Sequence, residues 1–252
     1  MIYLDNSATT KPHESVLQTF LQVNERYFAN PASIHKAGVE ANDLLSRARE
    51  QVASILNTED KQVIFTSGGT ESNNFALYGI AKSSTHKGKH IIVSEIEHPS
   101  VLEAAKRLIT EGFDIEYLRV DEHGKLSVEQ LKRIIRKDTI LVSVMHVNNE
   151  MGAISPIREM AKIIHEKSRA VFHVDAVQSF GKMHVAFDGE NGPDILTISG
   201  HKIHGIKGSG VIAFRKQLNI SPLLVGGGQE FGLRSGTVSV PLAVSFAKAA
   251  RL

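Results

Sequence analysis

A lysine in a glycine turn just past a strand is well placed to react with a ligand, and Ser199-Gly200-His201-Lys202 supplies one. It follows the apolar run Asp194-Ile195-Leu196-Thr197-Ile198. Open α/β sheets take their ligands just outside the carboxyl ends of the strands. An amine at that edge can condense with a carbonyl compound to give a Schiff base. On its own such a lysine would be read as a solvated surface charge. A second strand pattern, Ala170-Val171-Phe172-His173-Val174, ends in Asp175 and brings a carboxylate to the same edge.

A third strand pattern, Gln62-Val63-Ile64-Phe65-Thr66, runs into Ser67-Gly68-Gly69-Thr70-Glu71-Ser72 and then into a helical pattern from Asn73 to Lys82. Strand, Gly-rich turn and helix start present free backbone N–H groups and a helix dipole to an anion. The turn has neither the P-loop spacing nor GxGxxG, which disfavours a nucleotide fold. Alone it reads equally as a plain helix cap, Thr70 and Ser72 being ordinary capping residues. Lysine for a Schiff base, acid for a protonated ring nitrogen and a cradle for phosphate are together what pyridoxal phosphate requires.

These residues need a scaffold that brings strand ends together. Strand patterns fall near 62–66, 89–94, 115–119, 139–146, 170–174, 194–199 and 210–215, with helical patterns near 40–55, 73–82, 100–111, 127–136 and 157–166. Alternation of this kind predicts a mostly parallel sheet covered by helices on both faces. Near-continuous apolar strands such as Ile140-Leu141-Val142-Ser143-Val144-Met145 agree with burial on both sides. Ser83–Gly88, Asp121–Gly124 and Gly189–Pro193 are turn or loop signals, and Gly226–Gly232 reads as a flexible linker. Ala247–Leu252 has a helical pattern.

The chain has 252 residues, enough for one substantial core. A net charge of +2 lacks the concentrated basicity of a nucleic-acid binder, so no direct nucleic-acid partner is expected. The basic run Lys132–Lys137, interleaved with Leu131, Ile134 and Ile135, reads as the solvated side of a surface helix. There is no cysteine, which rules out disulfides and thiolate metal sites within this chain. His173 with Asp175, and His201 with His204, invite a metal reading, but no HExxH pattern exists and no metal is expected. Met1–Asp5 is too short and acidic for a signal peptide and no apolar run matches a membrane span, so a cytoplasmic protein is expected.

The motifs, taken in order, resemble the NifS/IscS-type cysteine desulfurases within the class V aminotransferase-like enzymes. They are Tyr3–Thr10, Asn30–His35, Phe65–Ser72, Glu97-His98, Met145–Glu150, His173–Ser179, Ser199–Lys202 and Arg234–Thr237. The resemblance implies a type I pyridoxal phosphate transferase large domain, an α/β fold around a mostly parallel mixed sheet. It implies conversion of L-cysteine to L-alanine, with sulfur passed to an acceptor protein for iron–sulfur clusters or tRNA thiolation. By the same resemblance Lys202 attaches the cofactor and Asp175 pairs with the ring nitrogen. Gln178 donates to the phenolic oxygen, His98 stacks on the ring and relays protons, and Asn149 lies near the ring oxygen and the substrate carboxylate. Gly69, Thr70, Ser199 and His201 hold the phosphate, Thr237 reaches the phosphate of the other subunit of a homodimer, and Gly226–Gly232 becomes a loop close to the cofactor and the dimer partner in place of a surface linker.

The missing cysteine is the main departure, because the family's nucleophilic Cys and carboxylate-binding Arg belong to its C-terminal portion. Residues 15–252 are therefore expected to be the cofactor-binding large domain with the small domain absent. Residues 1–14 are expected to pack toward that small domain and to be loose here. The alternatives are a catalytically silent cofactor-binding domain and another class V enzyme, such as a selenocysteine lyase or an aminotransferase.

Overall fold

Side-chain alternation in the strands decides the layers. In the computed structural model, which describes residues 2–185, 187, 191–215 and 218–252, seven strands form one sheet. They are β1 (Val63–Thr66), β2 (His90–Ser94), β3 (Asp114–Leu118), β4 (Thr139–Met145), β5 (Val171–Asp175), β6 (Ile195–Ser199) and β7 (Gly210–Phe214). Their order is β1-β7-β6-β5-β4-β2-β3, and every neighbouring pair is parallel except the two made by β7. The mostly parallel mixed sheet expected from the sequence is present.

Seven helices cover it: α1 (Glu14–Arg26), α2 (Lys36–Leu56), α3 (Gly69–Ser83), α4 (Pro99–Thr110), α5 (Val128–Ile134), α6 (Ile157–Lys167) and α7 (Val240–Ala250). Val63, Phe65, Val142, Val144, Phe172, Val174, Leu196 and Ile198 join one apolar cluster with α1, α2, α6 and α7. Ile64, Leu141, Ile195 and Ile212 join another with α3 and α4. The period of two thus sends alternate residues of the same strands into separate cores.

All seven strand patterns lie within a residue or two of the observed strands. The turn expected at Gly189–Pro193 falls partly outside the described residues. The sequence reading had not placed α1, and α7 was visible only at its end. α1 buries just Val16 and Val23, leaving Leu17 and Leu21 exposed, so its apolar stripe is thin. α7 is apolar nearly all round because it packs against both α1 and α2, which erases the amphipathic period.

Gly226–Gly232 is not a free linker. The Glu230 carboxylate is buried, accepts two bonds from Arg49 at 2.5 and 2.8 Å, and accepts the Phe65 N–H at 2.8 Å. Arg49 lies between the rings of Phe65 and Phe231, about 5 Å from each. Glu230 and Phe231 both take positive φ, of 51° and 59°. This backbone is held by a buried, fully bonded ion pair, which loop composition does not reveal.

Candidate active site

The strand ends open into a cavity of about 550 Å³. Nine of the ten residues singled out from the sequence line it: Gly69, Thr70, His98, Asn149, Asp175, Gln178, Ser199, His201 and Lys202. Thr237 does not. It lines a separate hollow of about 220 Å³ with Ser67, Gly210 and Arg234.

The cradle is built by β1, the turn after it and α3. Gly68 takes φ 149°, a conformation that penalises any side chain. A Cβ on Gly69 would come within 2.9 Å of Val177 Cγ2, so β5 and its following loop approach α3 closely there. Glu71 accepts the Ser67 N–H at 2.8 Å and pairs with Arg234 at 2.8 Å. Burial alone would raise its carboxyl, but these bonds outweigh burial and hold it ionised, below its ordinary value. The amides at the start of α3 lack intrahelical acceptors, and no side chain caps the helix. An anion would satisfy them.

Asp175 ends β5, buried. Its Oδ1 accepts the Val177 N–H at 2.9 Å and its Oδ2 accepts Asn73 Nδ2 at 2.7 Å. Burial pushes its carboxyl up, and the Val177 and Asn73 bonds with the charges of His98 and Lys202 work against that. Behind it, Glu97 bonds the Met145 N–H and is pushed well above the usual carboxylate range by burial and by Asp175. A buried carboxylate with donors at both oxygens suits a protonated ring nitrogen.

Lys202 ends a short 3-10 turn after β6, and its Nζ donates to the carbonyls of Ser7 and Ala8. Burial and the nearby Lys182 lower its pKa, while Asp175 and Asp5 oppose that. The shift favours the neutral, nucleophilic amine. His201 is lowered as well, by burial and then by Lys202, Lys207 and Lys182. His98 caps α4, its Nδ1 accepting the Ser100 N–H at 3.1 Å, with Pro99 in the first turn.

Ser7 and Ala8 line the cavity, and residues 7–13 are tied to its wall to a degree the sequence did not suggest. Besides Lys202, the Ser7 carbonyl accepts Gln178 Nε2 at 2.8 Å. Thr9 Oγ1 meets His201 Nδ1 at 3.1 Å, and the Thr10 and His13 amides donate to the carbonyls of His201 and His204 at 2.9 Å. Asn73 and Ser100 also line the cavity and were missed. Asn73 lies one helical turn past Gly69, a spacing that could have flagged it; Ser100 looked like an ordinary first-turn residue.

The donor set fits pyridoxal phosphate: an amine with a lowered pKa, a buried carboxylate, a ring-sized cavity and unsatisfied helix amides. Among the described residues no group of three or more His, Asp or Glu is placed to hold a metal ion. No described helix is long and apolar enough to cross a membrane.

Known proteins agree with this geometry. The chain is 44% identical over its whole length to cysteine desulfurase IscS 1 of Archaeoglobus fulgidus, of which it covers 65%. It is 46% identical to the mitochondrial cysteine desulfurase of Saccharomyces cerevisiae, covering 51% of that protein. A solved NifS-like protein superposes with a TM-score of 0.94 at 41% identity, over 99% of this chain and 68% of that one. SspA, solved in complex with cysteine, gives 0.93 at 36% identity, over 100% of this chain and 72% of that one. The chain spans between half and two thirds of the length of the curated relatives it matches. The aminotransferase class-V family matches residues 2–252, and the chain belongs to that family.

Proposed function

We propose that the chain is the cofactor-binding part of a cysteine desulfurase. The family's cofactor is pyridoxal phosphate. The observation that carries the reading is the convergence of Lys202, Asp175, His98 and the Gly69-Thr70 cradle on one cavity. Bound there, pyridoxal phosphate supplies an electron sink for negative charge at the substrate Cα. Lys202 is the attachment point and, once freed, the base that moves the Cα proton. Asp175 keeps a negative charge against the ring nitrogen, and the start of α3, with Ser199 and His201, binds phosphate. His98 and Gln178 bound the ring, and Asn149 lies toward the substrate carboxylate.

The substrate in this reading is L-cysteine, as in the SspA complex, with L-alanine as product. Sulfur goes to an acceptor protein for iron–sulfur clusters or for tRNA thiolation, and the protein works in the cytoplasm as a homodimer. Thr237, away from its own cavity, suits a contact made to a second copy. Residues 15–252 form the large domain in this scheme.

The lack of cysteine among the 252 residues favours a second reading for the chain as it stands, a cofactor-binding domain silent in sulfur transfer. Attack on the substrate sulfur needs a thiolate, and none is present. Borohydride reduction of the pyridoxal phosphate-treated chain, followed by peptide mapping, should place the pyridoxyl group on Lys202; labelling at Lys207 instead, or no uptake, would overturn the assignment. Titration with L-cysteine should change the cofactor spectrum without sulfide release above the free-cofactor background. Steady sulfide production by the purified chain would exclude the silent reading.

A further inference from the structure

A single amide joins two polar side chains that line the cavity, Asp175 and Ser100. Asn73 Nδ2 is 2.7 Å from Asp175 Oδ2 and 2.9 Å from Ser100 Oγ. Ser100 Oγ is in turn 2.8 Å from His98 Nδ1. An amide nitrogen carries two N–H groups and accepts nothing, so both of its bonds run outward. Turning the amide over would set its oxygen against a carboxylate. The Ser100 hydroxyl, having accepted from Asn73, has its own proton free for His98. The Ser100 backbone N–H donates to the same imidazole nitrogen at 3.1 Å. His98 Nδ1 is therefore an acceptor, and the proton of the neutral ring sits on Nε2.

This chain of donors has a cost that points to its use. Asn73 is 1% exposed and its Oδ1 has no hydrogen-bond partner, an expensive arrangement in a helix facing an apolar core. Other groups around Asp175 cannot replace it. The Val177 N–H serves Oδ1, His98 and Lys202 act at longer range, Glu97 is itself pushed well above the usual carboxylate range by burial and by Asp175, and His173 on the same strand is neutral.

We propose that Asn73 is a positioning residue: it holds the Asp175 carboxylate ionised and in a fixed plane and, through Ser100, holds His98 as the Nε2–H tautomer. The consequence for pyridoxal phosphate rests on the reading above; the hydrogen-bond chain itself does not.

The test uses the full chain without cofactor, carrying ¹³C at Asp carboxyls and ¹⁵N in His rings. Asp175→Asn and His98→Gln identify the two signals. Asn73→Ala should raise the pH at which Asp175 protonates by roughly one unit or more, the value of one hydrogen bond to a charged group. It should also move the His98 nitrogens away from a pure Nε2–H pattern. Asn73→Asp, which keeps the shape and adds a charge, should raise the Asp175 midpoint further and decides the matter if the alanine variant does not fold. Ser100→Ala should leave the Asp175 midpoint in place, whereas a general loosening of the site would move it. An unchanged Asp175 midpoint in the Asn73 variants overturns the proposal. Failure of the wild-type chain to take up pyridoxal phosphate would sink the cofactor reading instead, and leave these shifts as measured.

Discussion

The same three strands, β4, β5 and β6, face two different interiors. Toward α1, α2, α6 and α7 they present Val142, Val144, Phe172, Val174, Leu196 and Ile198, apolar along their whole length. Toward α3 and α4 they begin apolar at Leu141, Val171 and Ile195 and then turn polar. Ser143, His173 and Thr197 are hydrogen-bonded across the strands at 2.8 and 3.0 Å, with Asp175 and Ser199 beyond them at the strand ends. One face is a packing surface, and the other is a gradient from core to cavity. Buried polar groups are tolerated when bonded to one another, and the side chains of the Ser143–His173–Thr197 row are bonded in this way.

Variants should separate the two faces. Phe172→Ala, on the apolar face, should cost about 3–5 kcal/mol of stability through cavity formation, measured by denaturant unfolding. Pyridoxal phosphate uptake per folded molecule should not change. A smaller loss, or a loss of uptake, would mean that the faces are coupled.

His173→Phe should cost less at neutral pH, about 1–3 kcal/mol, because the Ser143 and Thr197 hydroxyls lose their shared partner. It should also alter the acid limb. Burial pushes His173 from its ordinary 6.5 down to about 3, so below 6.5 the unfolded chain binds a proton that the folded chain refuses. Wild-type stability should therefore fall as pH drops from about 6.5 toward 3, by up to ~1.4 kcal/mol per unit. The phenylalanine variant should show a shallower fall, and Phe172→Ala should keep the wild-type slope.

Glu97→Gln should have the smallest effect at low pH and a growing one above it. The folded chain holds this carboxyl neutral well past its ordinary 4.5, whereas the unfolded chain ionises there. Its contribution is thus present at low pH and is lost as pH rises above 4.5. The glutamine variant should gain on the wild type with rising pH when unfolding is measured between pH 5 and 8. No gain would mean that Glu97 is not held protonated.

The sheet was legible in the sequence because its strands are short, apolar and punctuated by turns, and strand ends follow from where apolar runs stop. Lys202, Asp175 and Gly69-Thr70 were legible for the same reason: each directly follows such a run. α7 was not, since a helix buried between α1 and α2 has no polar side to mark its period. Glu230 was missed because a carboxylate in a glycine loop looks solvated until Arg49, 181 positions away, is seen against it.

By itself, the sequence determined the alternation of strands and helices, the turn chemistry at Gly68-Gly69 and the residues delivered to the strand ends. These depend on backbone preference and on side-chain period, which act over a few residues. Only the tertiary structure decided that α3 would bring Asn73 to Asp175, 102 positions apart, and that the Ser7 carbonyl would meet Lys202, 195 positions apart. It alone set Thr237 outside the cavity that its motif accompanies. Such pairings follow from the order in which strands assemble and from the helices that cover them, and no local propensity encodes that order.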